Sequence, residues 1–224
     1  MLARLTNKFH VLRDRYLLRL PPRAPNPYLT HAPILLAAGR WWRIRRVLEF
    51  GCGEFSTKLF LDSRYFPDLQ QLESYENDLA WAERIRQQVG VNPRLNLHWV
   101  DGPVATAVGG LDIDAFDLIF IDDSTSGPER CDTIRAVAAA QPQRAIVIIH
   151  DFEWLCYREA ASSFRHRYRF TGMNPNIGMV WNGLLVHKQS LRVLNRTLRQ
   201  NVHKSDVDDW SSILAQFCPT SRYF

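Results

Sequence analysis

Short strand-like segments alternate with amphipathic segments along the middle of this chain. The predicted strands lie at positions 47–50, 72–75, 95–100, 117–121 and 145–149, and the last two are almost entirely apolar. Between them, apolar residues recur at helical spacing over 56–61, 78–89 and 129–140. Strands that are apolar throughout are buried on both faces, which is typical of a parallel sheet covered by helices. The pattern therefore predicts an α/β domain.

The last part of the predicted sheet has a different pattern. Two further strand-like segments, at 168–171 and 179–187, are separated by a stretch rich in Gly, Asn and Pro. Such a stretch between two strands favours a hairpin. We therefore expect a Rossmann-like, mostly parallel sheet with an antiparallel edge strand and helices on both faces.

The two ends of the chain are predicted to lie outside this domain. Residues 1–20 have the spacing of an amphipathic helix, which the proline-rich stretch 21–27 then breaks. Thr30 is expected to cap a short helix through about Ala38, ended by Gly39. We divide the chain into an N-terminal amphipathic cap (1–28), a main domain (29–188) and a C-terminal helical tail (189–224).

Composition and charge exclude several classes of protein. The chain has 224 residues, a net charge of +5 and four scattered cysteines without metal-binding spacing. Its apolar runs are too short for a membrane span, and its N-terminus lacks a signal-peptide pattern, so we expect a cytoplasmic protein. Basic residues near both termini are interpreted as solvated helix faces. Peripheral association with an acidic partner through the basic N-terminus is the alternative, and there is no strong nucleic-acid motif.

The most informative local pattern is VLEFGCGEFST, residues 47–57. A strand, a glycine turn and a helix start form a nucleotide site at the carboxyl end of a sheet, and Gly51 and Gly53 let the backbone approach a ligand closely. Ser56 stands where a dinucleotide-binding motif would have a third glycine. Glu49 and Glu54 flank the turn and would repel a pyrophosphate. They suit a phosphate-free, positively charged nucleoside such as S-adenosylmethionine.

Two further carboxylates follow the next strands. Glu76 lies at the end of the second predicted strand, at the distance from the glycines where an acidic residue holds ribose hydroxyls. Asp101 follows the third strand and could accept a hydrogen bond from an adenine amino group, although Asp-Gly-Pro is also turn chemistry. Trp81 could cover the adenine, but its helical spacing with Ile85 and Val89 favours core packing.

Four segments together resemble a known family. VLEFGCGEFST, LESYENDLAWAERI, FDLIFIDDS and IVIIHDFEW are similar, in order and spacing, to the class I S-adenosylmethionine-dependent methyltransferases, and closest in look to methyltransferase family 24. The resemblance implies a seven-stranded sheet whose last strand is inserted antiparallel. It also implies that Glu49, Gly51 and Gly53 surround the methionine end of the cofactor, Glu76 its ribose and Asp101 its adenine.

Candidate catalytic residues follow the fourth and fifth predicted strands. Asp122 ends one strand and His150 and Asp151 end the next, so their side chains are expected to meet beside the cofactor. His150 could remove the proton of a hydroxyl acceptor, with Asp122 or Asp151 orienting it or acting instead. His31 is a further candidate on the acceptor side, with a contact to the N-terminal helix as an equal alternative. Mg²⁺ bound by Asp122 and Asp151 is an alternative, but Phe152 stands where a third ligand is expected.

These patterns predict methylation of a hydroxyl on a small molecule or a saccharide. Three alternatives remain: transfer of another group, such as aminopropyl, from a related cofactor; a nicotinamide-dependent oxidoreductase; and a cofactor-binding module without catalysis. The missing third glycine argues against the oxidoreductase. The oligomeric state is not predicted.

Overall fold

A computed structural model describes residues 22–124 and 127–217, and it contains one sheet of seven strands. Their spatial order is β3-β2-β1-β4-β5-β7-β6, and only β7 runs antiparallel to its two neighbours. This arrangement confirms the predicted mostly parallel sheet with an antiparallel edge. The strands are β1 Arg46–Phe50, β2 Gln71–Glu76, β3 Leu95–Trp99, β4 Leu118–Ile121, β5 Ile146–Ile149, β6 His166–Phe170 and β7 Ile177–Trp181.

Helices cover both faces of the sheet, as predicted. They are α1 Ala32–Trp41, α2 Thr57–Leu61, α3 Leu79–Val89, α4 Gly127–Ala139, α5 Leu155–Ala160, α6 Lys188–Gln200 and α7 Val207–Phe217. One apolar core joins the sheet to α1, α2, α6 and α7, and a second core on the opposite face joins it to α4 and α5. Strand β4 explains this arrangement, because its side chains alternate between the two cores and all four are buried.

The boundaries of two elements differ from the predicted ones. The hairpin strands are β6 and β7, which begin and end earlier than the predicted 168–171 and 179–187. Helix α1 continues through Gly39 to Trp41, so Gly39 does not end it. A Cβ at Gly39 would lie 2.6 Å from the Tyr65 carbonyl oxygen, so glycine is needed there for close packing. The residue before α1 is His31, and Thr30 donates its hydroxyl hydrogen to the Pro27 carbonyl instead of capping the helix.

The ends of the described chain pack against the sheet domain. Near the N-terminus, Arg23 forms a β-bridge with Asn174 beside the β6–β7 hairpin. The predicted helix at 1–20 lies outside the described residues. The segment 189–224 contains most of α6 and all of α7, and Leu191, Leu194 and Trp210 are buried in the same core as α1. No helix in 22–124 or 127–217 is both long and apolar enough to cross a membrane.

Candidate active site

A cleft of about 1350 Å³ opens at the carboxyl ends of β1, β2, β4 and β5. This is the place where parallel α/β sheets bind ligands, because the strand order reverses on either side of β1 and β4. The volume exceeds the ~300–1,000 Å³ of an ordinary single-ligand pocket, so the cleft has room for a cofactor and an acceptor together. Of the residues that the sequence analysis considered for the site, those on its wall are His31, Gly51, Gly53, Glu54, Ser56, Glu76, Trp81, Asp122, His150 and Asp151.

The glycine turn after β1 requires glycine for two reasons. Gly51 has a φ of +86°, in the left-handed region, and a Cβ there would lie 2.5 Å from the Asp122 carbonyl oxygen. Gly53 donates its backbone N–H to the hydroxyl of Thr57 at 2.9 Å, which holds the end of the turn against the start of α2. The ends of β1 and β4 therefore approach each other closely on one side of the cleft.

Glu49 lies beneath this turn and is fully buried. Its Oε2 accepts hydrogen bonds from the hydroxyls of Thr57 and Ser74, each at 2.7 Å, while its Oε1 has no partner among the described residues. Burial raises the pKa of Glu49 to about 7, although the hydroxyls of Ser56, Ser74 and Thr57 oppose the shift. Glu49 is not on the wall of the cleft, and it supports the turn through Thr57.

Glu76 and Trp81 line the cleft beside the glycine turn, and both contact Cys52 in that turn. One carboxylate oxygen of Glu76 accepts the backbone N–H groups of Asn77 and Asp78, both at 2.9 Å, and the other contacts the thiol of Cys52 at 3.7 Å. Trp81 donates its ring N–H to the Cys52 carbonyl at 2.6 Å and lies half-buried on the cleft wall. The core packing that we favoured for Trp81 is therefore wrong, because this hydrogen bond turns its ring towards the cleft.

Two predicted carboxylates have a different setting from the one expected. Glu54 lies on the cleft wall, but Arg84 and Gln88 donate to it at 3.0 and 2.7 Å, so its charge is already matched. It does not act as a free carboxylate beside the turn. Asp101 lies exposed in the turn after β3 and is not on the cleft wall.

A buried arginine joins the acidic residues at the ends of β4 and β5. Arg130, from α4, lies 3.0 Å from Asp122 and donates to Asp151 at 2.8 Å, and its remaining donors reach the carbonyls of Asp123 and Ser124. Sequence reasoning missed this residue. The available signal was its position in line with Ile134 and Val137 on the buried stripe of a helix, where an apolar residue is expected.

Both ring nitrogens of His150 have hydrogen-bond partners. Nε2 lies 2.9 Å from the hydroxyl of Thr30, whose own hydrogen goes to the Pro27 carbonyl, so Nε2 is the donor. Nδ1 lies 3.1 Å from a carboxylate oxygen of Asp122. Burial disfavours the charged ring, but Asp122 and Asp151 outweigh it and raise the pKa of His150 to about 10. His150 is therefore an imidazolium at neutral pH, which argues against the base role suggested by the sequence.

His31 has the opposite character. Its ring is 3% exposed, and its centroid lies 4.9 Å from that of Phe120 and 5.2 Å from that of His150. Neither ring nitrogen makes a hydrogen bond of good geometry with a described residue, although the Phe55 backbone favours the protonated ring. Burial, and then the positive charge of His150, lower the pKa of His31 to about 3, although Asp122 opposes the shift. His31 is thus a neutral base on the cleft wall.

The residues at this point do not fit Mg²⁺. Arg130 already bridges Asp122 and Asp151, so a divalent cation between the two carboxylates would meet a guanidinium. The ligating atoms of His31, Asp122 and His150 do lie within 4.8 Å of one another. However, two of these donors are imidazole nitrogens, whereas Mg²⁺ prefers oxygen ligands.

Comparison with known proteins gives matches in structure alone. No family model matches the sequence. No curated protein matches it either. The sheet domain resembles a spermidine synthase solved in complex with the transition state analogue AdoDATO, with a TM-score of 0.53, 14% identity and coverage of 84% of this chain and 72% of that one. It also resembles a putative O-methyltransferase from Klebsiella pneumoniae, with a TM-score of 0.51, 21% identity and coverage of 78% and 89%.

A weaker match is PigF solved with SAH, at a TM-score of 0.46 and 16% identity. It covers 68% of this chain, which spans 61% of the length of the PigF chain. None of these matches supports the finer resemblance to methyltransferase family 24 that the motifs suggested. Together with the sheet topology, the first two matches show that the chain has the Rossmann-like fold shared by class I methyltransferases and spermidine synthase.

Proposed function

We propose that this chain is an S-adenosylmethionine-dependent methyltransferase. The charge of the cleft carries the proposal. Six carboxylates line it against three guanidiniums, and in the described part of the chain each of those guanidiniums is paired with a carboxylate. A cleft with excess negative charge and no unpaired arginine favours a cationic nucleoside and disfavours a pyrophosphate.

The cofactor would bind at the glycine end of the cleft. The backbone at Gly51 and Gly53, together with Ser56, would hold its methionine end, with Glu49 acting through the turn that it supports. The Glu76 oxygen that contacts the Cys52 thiol would accept the ribose hydroxyls, since the other oxygen is already fixed by two backbone N–H groups. The adenine role of Asp101 rests on the resemblance alone. When bound, S-adenosylmethionine supplies an electrophilic methyl group on a positively charged sulfur.

The acceptor would occupy the other half of the cleft. Two exposed aromatic side chains, Tyr28 and Trp154, lie on its wall at 72% and 59% exposure. Exposed aromatic rings beside polar groups suit the apolar face of a planar molecule or of a sugar. His150 and the Asp122 and Asp151 carboxylates would hold the reacting hydroxyl. The reaction that these features support best is O-methylation of a small-molecule or saccharide hydroxyl.

Calorimetric titration tests the cofactor assignment. We expect S-adenosylhomocysteine to bind with a dissociation constant in the micromolar range and NADH to show no binding. Tight NADH binding, or no binding of S-adenosylhomocysteine, would refute the proposal. Release of S-adenosylhomocysteine in the presence of catechol or methyl α-glucoside, two hydroxyl probes of different shape, tests the acceptor class.

Aminopropyl transfer is the second candidate, because one of the structural matches is a spermidine synthase. The two reactions need cofactors that differ by one carboxylate. Parallel titrations with S-adenosylmethionine and with its decarboxylated form distinguish them. Stronger binding of the decarboxylated cofactor would favour aminopropyl transfer.

A further inference from the structure

His31 is the one buried polar side chain on the described cleft wall with no hydrogen bond of good geometry, although the Phe55 backbone favours its protonated form. A buried imidazole whose two nitrogens both lack partners loses the hydrogen bonds that it would make in water, which costs stability. The cost is offset if a bound molecule supplies a partner. Because His31 packs against His150, in the half of the cleft that we propose for the acceptor, that partner would belong to the acceptor.

The other bases on the described cleft wall each have at least one partner of good geometry. His150 uses both nitrogens, one with Thr30 and one with Asp122. Each of the six carboxylates on the described wall has a hydrogen-bond or ion-pair partner. Glu76 and Asp78 accept backbone N–H groups, that of Trp81 in the case of Asp78. The other four pair with arginines: Glu54 with Arg84, Asp122 and Asp151 with Arg130, and Asp132 with Arg135. These carboxylates keep further lone pairs, so they can still bind a hydroxyl. His31 differs from them because neither of its nitrogens makes a hydrogen bond of good geometry in the described structure.

We propose that His31, and not His150, accepts the proton of the acceptor hydroxyl; this inference rests on the proposed methyltransferase function. As the hydroxyl oxygen forms its bond to the methyl carbon, the carbon–sulfur bond breaks and its electron pair stays on sulfur. The hydroxyl proton passes to a ring nitrogen of His31. His150, held by Thr30, Asp122 and Asp151, stays protonated throughout and positions the acceptor.

The charge balance of the cleft supports this assignment. Before the reaction, positive charge stands at the cofactor sulfur and at His150, and a third cation at His31 would be repelled by both. The reaction removes the charge at sulfur and creates one at His31, so the total charge of the cleft does not change. His31 becomes more basic as the charge leaves sulfur, and the charges of Asp122 and Asp151 favour its protonated form. An oxygen that gains a methyl group becomes strongly acidic, so a weak base suffices.

Nitrogen-15 NMR of histidine-labelled protein tests the protonation states directly. At pH 7, with S-adenosylmethionine added, we expect the His31 ring to be neutral, with one nitrogen lacking a hydrogen, and the His150 ring to be an imidazolium. His31→Gln and His150→Gln assign the two sets of signals. A protonated His31 or a neutral His150 at pH 7 would overturn the inference, whatever the identity of the acceptor.

Kinetics with the hydroxyl probe that yields S-adenosylhomocysteine gives the second test. His31→Gln is expected to lower the turnover rate by ~10²–10⁴-fold, the usual contribution of a general base, and to leave the affinity for S-adenosylhomocysteine within about twofold. Added imidazole should restore turnover to His31→Ala. His98→Gln, a half-buried histidine away from the cleft, serves as control and should keep its rate.

Three results, from kinetics, metal analysis and calorimetry, would contradict the inference in different ways. If His31→Gln keeps the wild-type rate, proton acceptance lies elsewhere. If purified protein carries one equivalent of a divalent metal that His31→Gln loses, the nitrogen is a metal ligand instead. If S-adenosylhomocysteine does not bind to the wild-type protein, the proposed function itself fails, and calorimetry detects this before any variant is made.

Discussion

The buried carboxyl of Glu49 links the stability of this protein to pH in a way that one isosteric substitution can isolate. Glu49→Gln keeps the shape of the side chain and an oxygen that can accept the hydroxyls of Thr57 and Ser74. It removes the ionisable group. The substitution therefore tests the charge of Glu49 and leaves its packing in place.

The size of the effect follows from the shift in pKa. Burial raises the pKa of Glu49 from 4.5 to about 7 in the folded protein. Each unit corresponds to ~1.4 kcal/mol, so the shift amounts to about 3 kcal/mol. Between these two values the folded protein keeps a proton that the unfolded chain has released. The stabilising contribution of the protonated carboxyl is therefore complete below pH 4.5 and is lost as the pH rises through about 7.

Urea unfolding of both proteins between pH 4 and pH 8 measures this contribution. The free energy of unfolding of the wild type, minus that of Glu49→Gln, should fall by about 3 kcal/mol across the range. Asp123, His31 and His150 also titrate with shifted pKa values, but they are present in both proteins and their contributions cancel. The exposed Glu83→Gln serves as control and should give parallel curves. If Glu49→Gln also runs parallel to the wild type, the burial argument is wrong.

Three further predictions concern the turn, the arginine and the cofactor wall. Gly51→Ala should lower the free energy of unfolding by about 2–4 kcal/mol, because Gly51 has a positive φ and lies against the Asp122 backbone. Gly110→Ala serves as control, since a Cβ there meets open space. Equal urea midpoints for the two variants would refute this. Arg130→Met should lower the free energy of unfolding by about 3 kcal/mol, because Asp122 and Asp151 lose their guanidinium and keep His150 as their shared cation. The exposed Arg135→Met should leave the free energy of unfolding unchanged. Glu76→Gln should weaken S-adenosylhomocysteine binding tenfold or more in calorimetry without changing the fold, through loss of a charged acceptor; an unchanged dissociation constant would rule out its ribose role.

The order of strands and helices was predictable from the sequence, because it depends on local periodicity. The apolar run of β4 and the helical spacing of α3 are both readable within a dozen residues. The glycine turn was predictable for the same reason, since Gly51 needs a conformation that other residues rarely adopt. The ends of β6 and β7 were less predictable, because their boundaries depend on pairing with β5 and with each other.

The sequence by itself determined which residues reach the carboxyl edge of the sheet, since that depends on where each strand ends. The tertiary structure decided the protonation states and the hydrogen-bond partners of those residues. Thr30 and His150 are 120 positions apart in sequence, yet their contact helps to fix one imidazole as a cation. His31, the residue directly before α1, is a neutral base because burial and the positive charge of His150 both oppose its protonation. Charge states at the site arise from distances between remote segments and from exclusion of water, and neither is encoded in any local pattern.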